Sequence, residues 1–176
     1  MTSRHLIVSG GKVGAEGVEV RLVGEPPEVQ VRGPNVFRGY WNRDDANADA
    51  FEEGWFRTGD LGSLDADGYL TLDGRSKELI ISGGFNVYPR EVEDAIRTHD
   101  RVDDVAVAGT PSDEWGEEVT AYVVGGPVTV EELKAHVGKA LAPYKRPRRV
   151  HLVDELPRNA LGKVQKHRLS EGEVLP

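Results

Sequence analysis

The chain has no cysteine among its 176 residues. Disulfide bonds, thiolate metal sites and a cysteine nucleophile are excluded together. A reducing compartment suits that composition, and a cytoplasmic location is the expectation. Long apolar runs are missing too: none approaches the roughly 18 residues of a membrane span. Residues 1–10 place one arginine before a short apolar stretch, which is not a secretory signal pattern. Excess positive charge is the third absence. Lys and Arg number 22 against 30 Asp and Glu, a formal charge of −8, so bulk charge gives no reason to expect a nucleic-acid partner. His5, His99, His136, His151 and His167 show no ligand spacing, and no metal site built by this chain is expected.

Glycine, by contrast, is plentiful. It fills 21 of 176 positions, about 12% against a usual value near 7%. A hydrophobic fraction of 38% with 30% charged residues supports a packed core. The length suits one ordinary domain or two small ones. Strands are expected at 18–23, 28–32, 56–61 and 69–72, with a short helix at 44–51 and a turn at Asp65–Gly68. From Glu78 the pattern changes. A short strand at 79–81 and a loop at 82–86 lead to a helix opened by Pro89, which suits a first helical turn. Strands at 105–108, 119–124 and 150–153 alternate with a helix at 129–141, where Thr129 and Glu132 form a capping-box pattern. The expected fold class is α+β: a small β-rich subdomain at 1–74, then a compact α+β domain at 75–176.

Three segments carry the chemical signal. The first is Gly54-Trp55-Phe56-Arg57-Thr58-Gly59-Asp60. The second is Gly74-Arg75-Ser76-Lys77-Glu78, followed by Ser82-Gly83-Gly84-Phe85-Asn86-Val87-Tyr88-Pro89-Arg90-Glu91-Val92-Glu93. The third is Leu156-Pro157-Arg158-Asn159-Ala160-Leu161-Gly162-Lys163-Val164. In this order and spacing they resemble the C-terminal third of the adenylate-forming superfamily, and most of all its AMP-forming acyl-CoA ligase branch. The resemblance runs from about residue 17 to the end. It implies a two-step reaction. A carboxylate attacks the α-phosphate of ATP to give acyl-AMP and pyrophosphate. CoA then takes the acyl group and AMP leaves.

The resemblance assigns roles residue by residue. Asp60 matches the carboxylate that binds the ribose hydroxyls, a pairing that suits two acceptor oxygens; a turn aspartate is the plainer reading. Arg75 matches a second nucleotide contact, where a surface ion pair is the plainer reading. Lys77 matches the hinge about which the C-terminal lid turns between the two half-reactions. Gly83 and Gly84 match backbone that approaches the pantetheine arm of CoA, although a tight turn would also demand glycine. Trp115, Tyr144 and Arg146 match positions that hold the CoA nucleotide in some relatives; aromatic packing is the alternative for the two rings. Lys163 matches the catalytic lysine that meets carboxylate and α-phosphate oxygens as charge builds there. ATP or AMP and CoA are the implied ligands, with Mg2+ arriving on ATP.

Charge distribution agrees with that reading. Residues 139–168 hold nine basic and two acidic residues, a local charge of +7 that leaves −15 elsewhere. A basic lid is what phosphate groups would need. Complete members of the family are about three times longer and carry the phosphate loop and the acyl pocket in a region not found here. Ile7 to Gly17 reads as a shortened form of the glycine-rich stretch before the small β-subdomain. The expected partners are therefore a small carboxylate, ATP, CoA and a separate large ATP-binding subunit. The alternative is a non-catalytic module that keeps the lid fold as a binding partner, or as an acylation target at Lys163.

Overall fold

A computed structural model describes residues 11–12 and 17–170; most of the Ile7–Gly17 stretch lies outside them. The chain divides into two compact units, Met1–Lys77 and Glu78–Pro176. Among the described residues, no helix is long and apolar enough to cross a membrane.

The first unit is a sheet built from β1 (Gly11–Lys12), β2 (Glu19–Val23), β3 (Glu28–Arg32), β4 (Phe51–Glu52), β5 (Trp55–Leu64) and β6 (Tyr69–Arg75), with α1 (Asp44–Ala50) before β4. The strand order is β1-β6-β5-β3-β2, with β4 beside β5, and every pairing is antiparallel. Alternation sorts the faces. Val29, Val31 and Leu70 are buried with Val20, Leu22, Phe56 and Leu72 against them. The opposite face holds the buried Gln30, whose Oε1 accepts from Arg21 Nε at 2.8 Å and whose Nε2 donates to Glu52. Arg21 and Arg32 lie over the Trp55 ring at 4.6 and 4.5 Å, so stems of charged side chains cover that face.

The second unit contains β7 (Ile80–Ser82), β8 (Phe85–Val87), α2 (Pro89–Arg97), β9 (Val102–Ser112), β10 (Gly116–Gly125), α3 (Val130–Val137), β11 (Arg149–Leu152) and α4 (Lys166–Ser170). Strand β10 is central. It pairs antiparallel with β9 along its length, parallel with β11, and with β7 at Gly116. Odd-numbered residues Val105, Val107, Val119, Ala121 and Val123 pack with Val92, Ile96, Leu133 and Val137 of α2 and α3. Even-numbered Ala106, Ala108 and Tyr122 pack with Leu156 and Leu169 of the C-terminal segment. One sheet thus has two helices on one face and the C-terminal segment on the other.

The architecture is α+β, as the sequence implies, with differences in extent. Strands β9 and β10 run several residues beyond the expected 105–108 and 119–124. Helix α3 stops at Val137 rather than Leu141, because Gly138 follows as its C-cap and glycine is a poor helix former. Leu141 still reaches the core through a turn closed on Val137 O. The capping box on α3 is present with both bonds, Thr129 Oγ1 accepting from Glu132 N and Glu132 Oε2 from Thr129 N. Helix α4 is an addition that its short, basic sequence does not announce.

Candidate functional site

In the first unit, Asp60 and Arg75 are register partners on β5 and β6. Arg75 Nε lies 3.0 Å from Asp60 Oδ1. The local chain explains the placement. The β3–β5 register shifts between Glu28 and Gln30, so that residues 58–60 bulge opposite Val29. Thr58 Oγ1 donates to Val29 O at 2.7 Å and accepts from Asp60 N at 3.0 Å. Glu28 accepts from Gly59 N and from Arg57 Nε, and Gly59 takes a φ of 71°. The bulge turns Asp60 out of the strand's regular alternation and hands it to Arg75. Neither side chain has another hydrogen-bond or ion-pair partner residue among the described residues. The pair therefore offers an acceptor and several donors at one spot.

Lys77 is the last residue of the first unit. It lies in a single 3-10 turn, Ser76–Glu78, and its side chain is exposed.

The second unit gathers four of the expected residues around one hairpin. Gly83 and Gly84 form the two-residue loop between β7 and β8, with φ of 58° and 82°. Two positive φ values in succession define a type I′ turn, which glycine fits best. The two glycines differ in surroundings. A Cβ on Gly83 would fall 2.7 Å from Trp115 Cε3, whereas a Cβ on Gly84 would meet nothing within 4 Å. Gly83 N donates to Trp115 O at 2.9 Å, so Trp115 is fastened to the hairpin by backbone and ring alike. Next along the hairpin, Phe85 stacks on Tyr144 with ring centroids 4.8 Å apart. Phe85 and Tyr144 are both exposed.

Arg146 is placed differently. Its Nε donates to Leu141 O and one Nη to Gly138 O, at 2.9 and 2.8 Å. It clasps the carbonyls that follow α3, a favourable position for a cation, and three N–H groups remain. The cation over Trp115 is instead Arg148, with Cζ 3.6 Å from the ring centroid. Sequence reading passed over Arg148 because it is one of several basic residues in a run. Its place after the buried Pro147 was the available signal. Lys145 pairs with both oxygens of Glu91 at 2.7 Å; that bond holds its ammonium above the usual lysine range.

Lys163 closes a tight turn. Gly162 N donates to Asn159 O, and Asn159 N to Lys163 O, both at 2.9 Å. The Asn159 Oδ1 accepts from Leu161 N and Lys163 N, and Gly162 has a φ of 79°. Asp65–Tyr69 folds identically: Gly68 N to Asp65 O, Asp65 N to Tyr69 O, and Asp65 Oδ1 accepting from Asp67 N and Tyr69 N. Both are a type I turn followed by a left-handed glycine, fixed by an Asx side chain at the first position. Lys163 occupies the place of Tyr69. Its side chain is exposed, and its ammonium has no partner among the described residues. Arg158 stabilises the turn from the other strand by donating to Gly162 O and pairing with Asp104.

Among the described residues, no group of three or more His, Asp or Glu side chains is placed to hold a metal ion. The arrangement offers a diol-sized acceptor at Asp60, an open glycine hairpin flanked by stacked aromatics and cations, and a lone ammonium on a stiff turn.

The chain is similar to known proteins. Residues 91–163 match the AMP-binding enzyme C-terminal domain. The 2-succinylbenzoate–CoA ligase of Geobacillus sp. (strain WCH70) is 47% identical over 150 residues, covering 84% of this chain and 30% of that enzyme. The indoleacetate–CoA ligase of Aromatoleum aromaticum is 48% identical over 159 residues, covering 88% and 31%. The solved o-succinylbenzoate CoA synthetase of Bacillus subtilis, bound to its acyl-adenylate intermediate, superposes with a TM-score of 0.83 at 40% identity, over 87% of this chain and 34% of that one. Other structures of that synthetase hold AMP, or ATP with magnesium. The chain spans about a third of the length of the relatives it matches. Residues 91–163 thus match the C-terminal domain of AMP-binding enzymes, and the chain as a whole is similar to the C-terminal portion of CoA ligases.

Proposed function

We propose that the chain supplies the C-terminal part of an ATP-dependent CoA ligase, which forms acyl-AMP from a carboxylate and then transfers the acyl group to CoA. The observation that carries this reading is Lys163. An exposed ammonium without a partner among the described residues, at the last position of a rigid turn, is suited to meet anionic oxygens presented by another part of the enzyme. In this reading Lys163 stabilises charge on the α-phosphate during adenylation. Asp60 accepts from ribose hydroxyls through Oδ2, while Arg75 fixes its other oxygen and offers its remaining donors to the nucleotide. The part of the chain after Lys77 acts as a mobile lid turning at that residue. Gly83 and Gly84 receive the pantetheine arm: Gly84 opens onto free space, while Gly83 seats Trp115. Trp115, Tyr144 and the remaining donors of Arg146 and Arg148 hold the CoA nucleotide. Magnesium arrives on ATP. The carboxylate is chosen by the part of the enzyme that the relatives have and this sequence does not cover. A reducing, cytoplasmic setting fits the absence of cysteine.

Fusing this chain to the N-terminal two-thirds of the Bacillus subtilis synthetase tests the proposal. Carboxylate-dependent ATP–pyrophosphate exchange above that of the N-terminal part alone is the expected result. A folded fusion with no exchange contradicts it.

A further inference from the structure

Lys163 is followed three residues later by a second lysine with the opposite surroundings. Lys166, on α4, lies 2.7 Å from Glu93 Oε1 and 3.1 Å from Glu78 Oε2. Its side chain is mostly buried, at 22% exposure. Glu93 projects from α2 and is itself buried. The oxygen that meets Lys166 also accepts the N–H of Val107 at 2.9 Å, on the edge of β9 not paired with β10. The other oxygen of Glu93 lies 3.6 Å from Arg97. Glu78 is the first residue of the second unit and follows Lys77 directly. One ammonium thus joins the C-terminal segment, helix α2 and the start of the unit.

The geometry makes Lys166 a lever on Lys163. Lys166 and Leu169 share a face of α4, being three residues apart. Leu169 is fully buried, and its carbonyl accepts from Tyr122 Oη at 2.7 Å. Leu169 fixes the far end of α4; Lys166 fixes the near end. Gln165 N donates to Pro157 O, and Arg158 bridges to Val164, so the turn and the near end of α4 move as one piece. A buried carboxylate that loses its cation is costly, which makes the tie strong and directional.

We propose that Lys166 is a positioning residue for Lys163: its double ion pair to Glu93 and Glu78 sets where the Lys163 turn sits relative to the residues next to Lys77. This rests on the functional reading above and deepens it. Lys166 does not touch a substrate; it acts through the turn. The step that needs Lys163 should depend on it, and the thioester step should not.

The test compares Lys166→Met and Lys166→Arg with the native sequence in the fusion enzyme. Adenylate formation is followed by pyrophosphate release, and thioester formation by supplying preformed acyl-adenylate and CoA. Hydrogen exchange of the 176-residue chain alone is followed at residues 159–165. For Lys166→Met, adenylation should fall about tenfold or more with KM for ATP little changed, and thioester formation by less than about twofold. Amides 159–165 should exchange about tenfold faster, with β10 unchanged. Lys166→Arg should recover most of both effects. Equal losses in the two half-reactions, or unchanged exchange at 159–165, would overturn the proposal. If the native fusion shows no pyrophosphate exchange, the functional reading fails, and amide exchange in the chain alone still decides whether Lys166 holds the turn.

Discussion

Asp60 and Arg75 face each other across β5 and β6, with Arg75 Nε 3.0 Å from Asp60 Oδ1. The pair is partly solvated, the side chains being 26% and 47% exposed. An ion pair of that exposure contributes little to stability, about 0.2–1 kcal/mol. A stability role alone would be a poor use of a bulge, a left-handed glycine and the Thr58 bond network. Asp60→Asn should therefore shift urea unfolding of the chain by no more than about 1 kcal/mol, while pyrophosphate exchange in the fusion enzyme falls about a hundredfold. Equilibrium unfolding and exchange assays on the same variant separate the two effects.

The glycine hairpin gives a contrast between neighbours. Gly83→Ala places a Cβ against the Trp115 ring at a positive φ, whereas Gly84→Ala meets only the backbone penalty. That penalty is about 1–2 kcal/mol for a left-handed residue with a side chain. Gly83→Ala should destabilise the second unit by more than Gly84→Ala and should change the Trp115 fluorescence. Gly84→Ala should leave fluorescence as it is, and in the fusion enzyme should weaken CoA use more than ATP use. Urea titrations and emission spectra check the first half, and half-reaction kinetics the second.

The Lys163 turn should tolerate Asn159→Asp and not Asn159→Ala. Asp65 shows that a carboxylate oxygen makes the same two bonds to the following N–H groups. Losing both acceptor bonds should cost about 1–2 kcal/mol locally. Amide exchange at Leu161 and Lys163 should rise in Asn159→Ala and stay near native in Asn159→Asp.

These turns show how much was legible in the sequence. Asp-Ala-Asp-Gly-Tyr was read as a turn from its residues alone. Asn-Ala-Leu-Gly-Lys is the same turn, yet it is legible only through its family resemblance, because its tip carries an apolar residue, Leu161, which is 93% exposed. Strand and helix order in the second unit followed from alternation at 105–108 and 119–124 and from the caps of α2 and α3. Helix α4 escaped because it has five residues and one buried apolar anchor, Leu169. Among site residues, the positions of Asp60, the glycine pair and Lys163 were marked by motif. Arg148 over Trp115, and Lys166 between Glu78 and Glu93, were not, since both depend on partners more than thirty residues away.

Stability should fall on mild acidification through His151. Its ring stacks on Tyr122 at 5.3 Å. Burial, followed by the nearby Arg149 charge, lowers its pKa below the usual histidine value. The unfolded chain then binds a proton more readily than the folded one, so the contribution is fully present above about pH 6.5, the unfolded value. It declines as pH drops through the window between that value and the depressed folded one. His151→Gln should flatten this part of the pH–stability profile. Urea midpoints at pH 7.5 and 5.5, compared between native chain and variant, give the measurement.

The central claim is that Lys163 acts in adenylation. In the fusion enzyme, Lys163→Ala should lower carboxylate-dependent pyrophosphate release by about a hundredfold or more, while thioester formation from supplied acyl-adenylate stays within about threefold of native. Pyrophosphate release at the native rate in Lys163→Ala would contradict it.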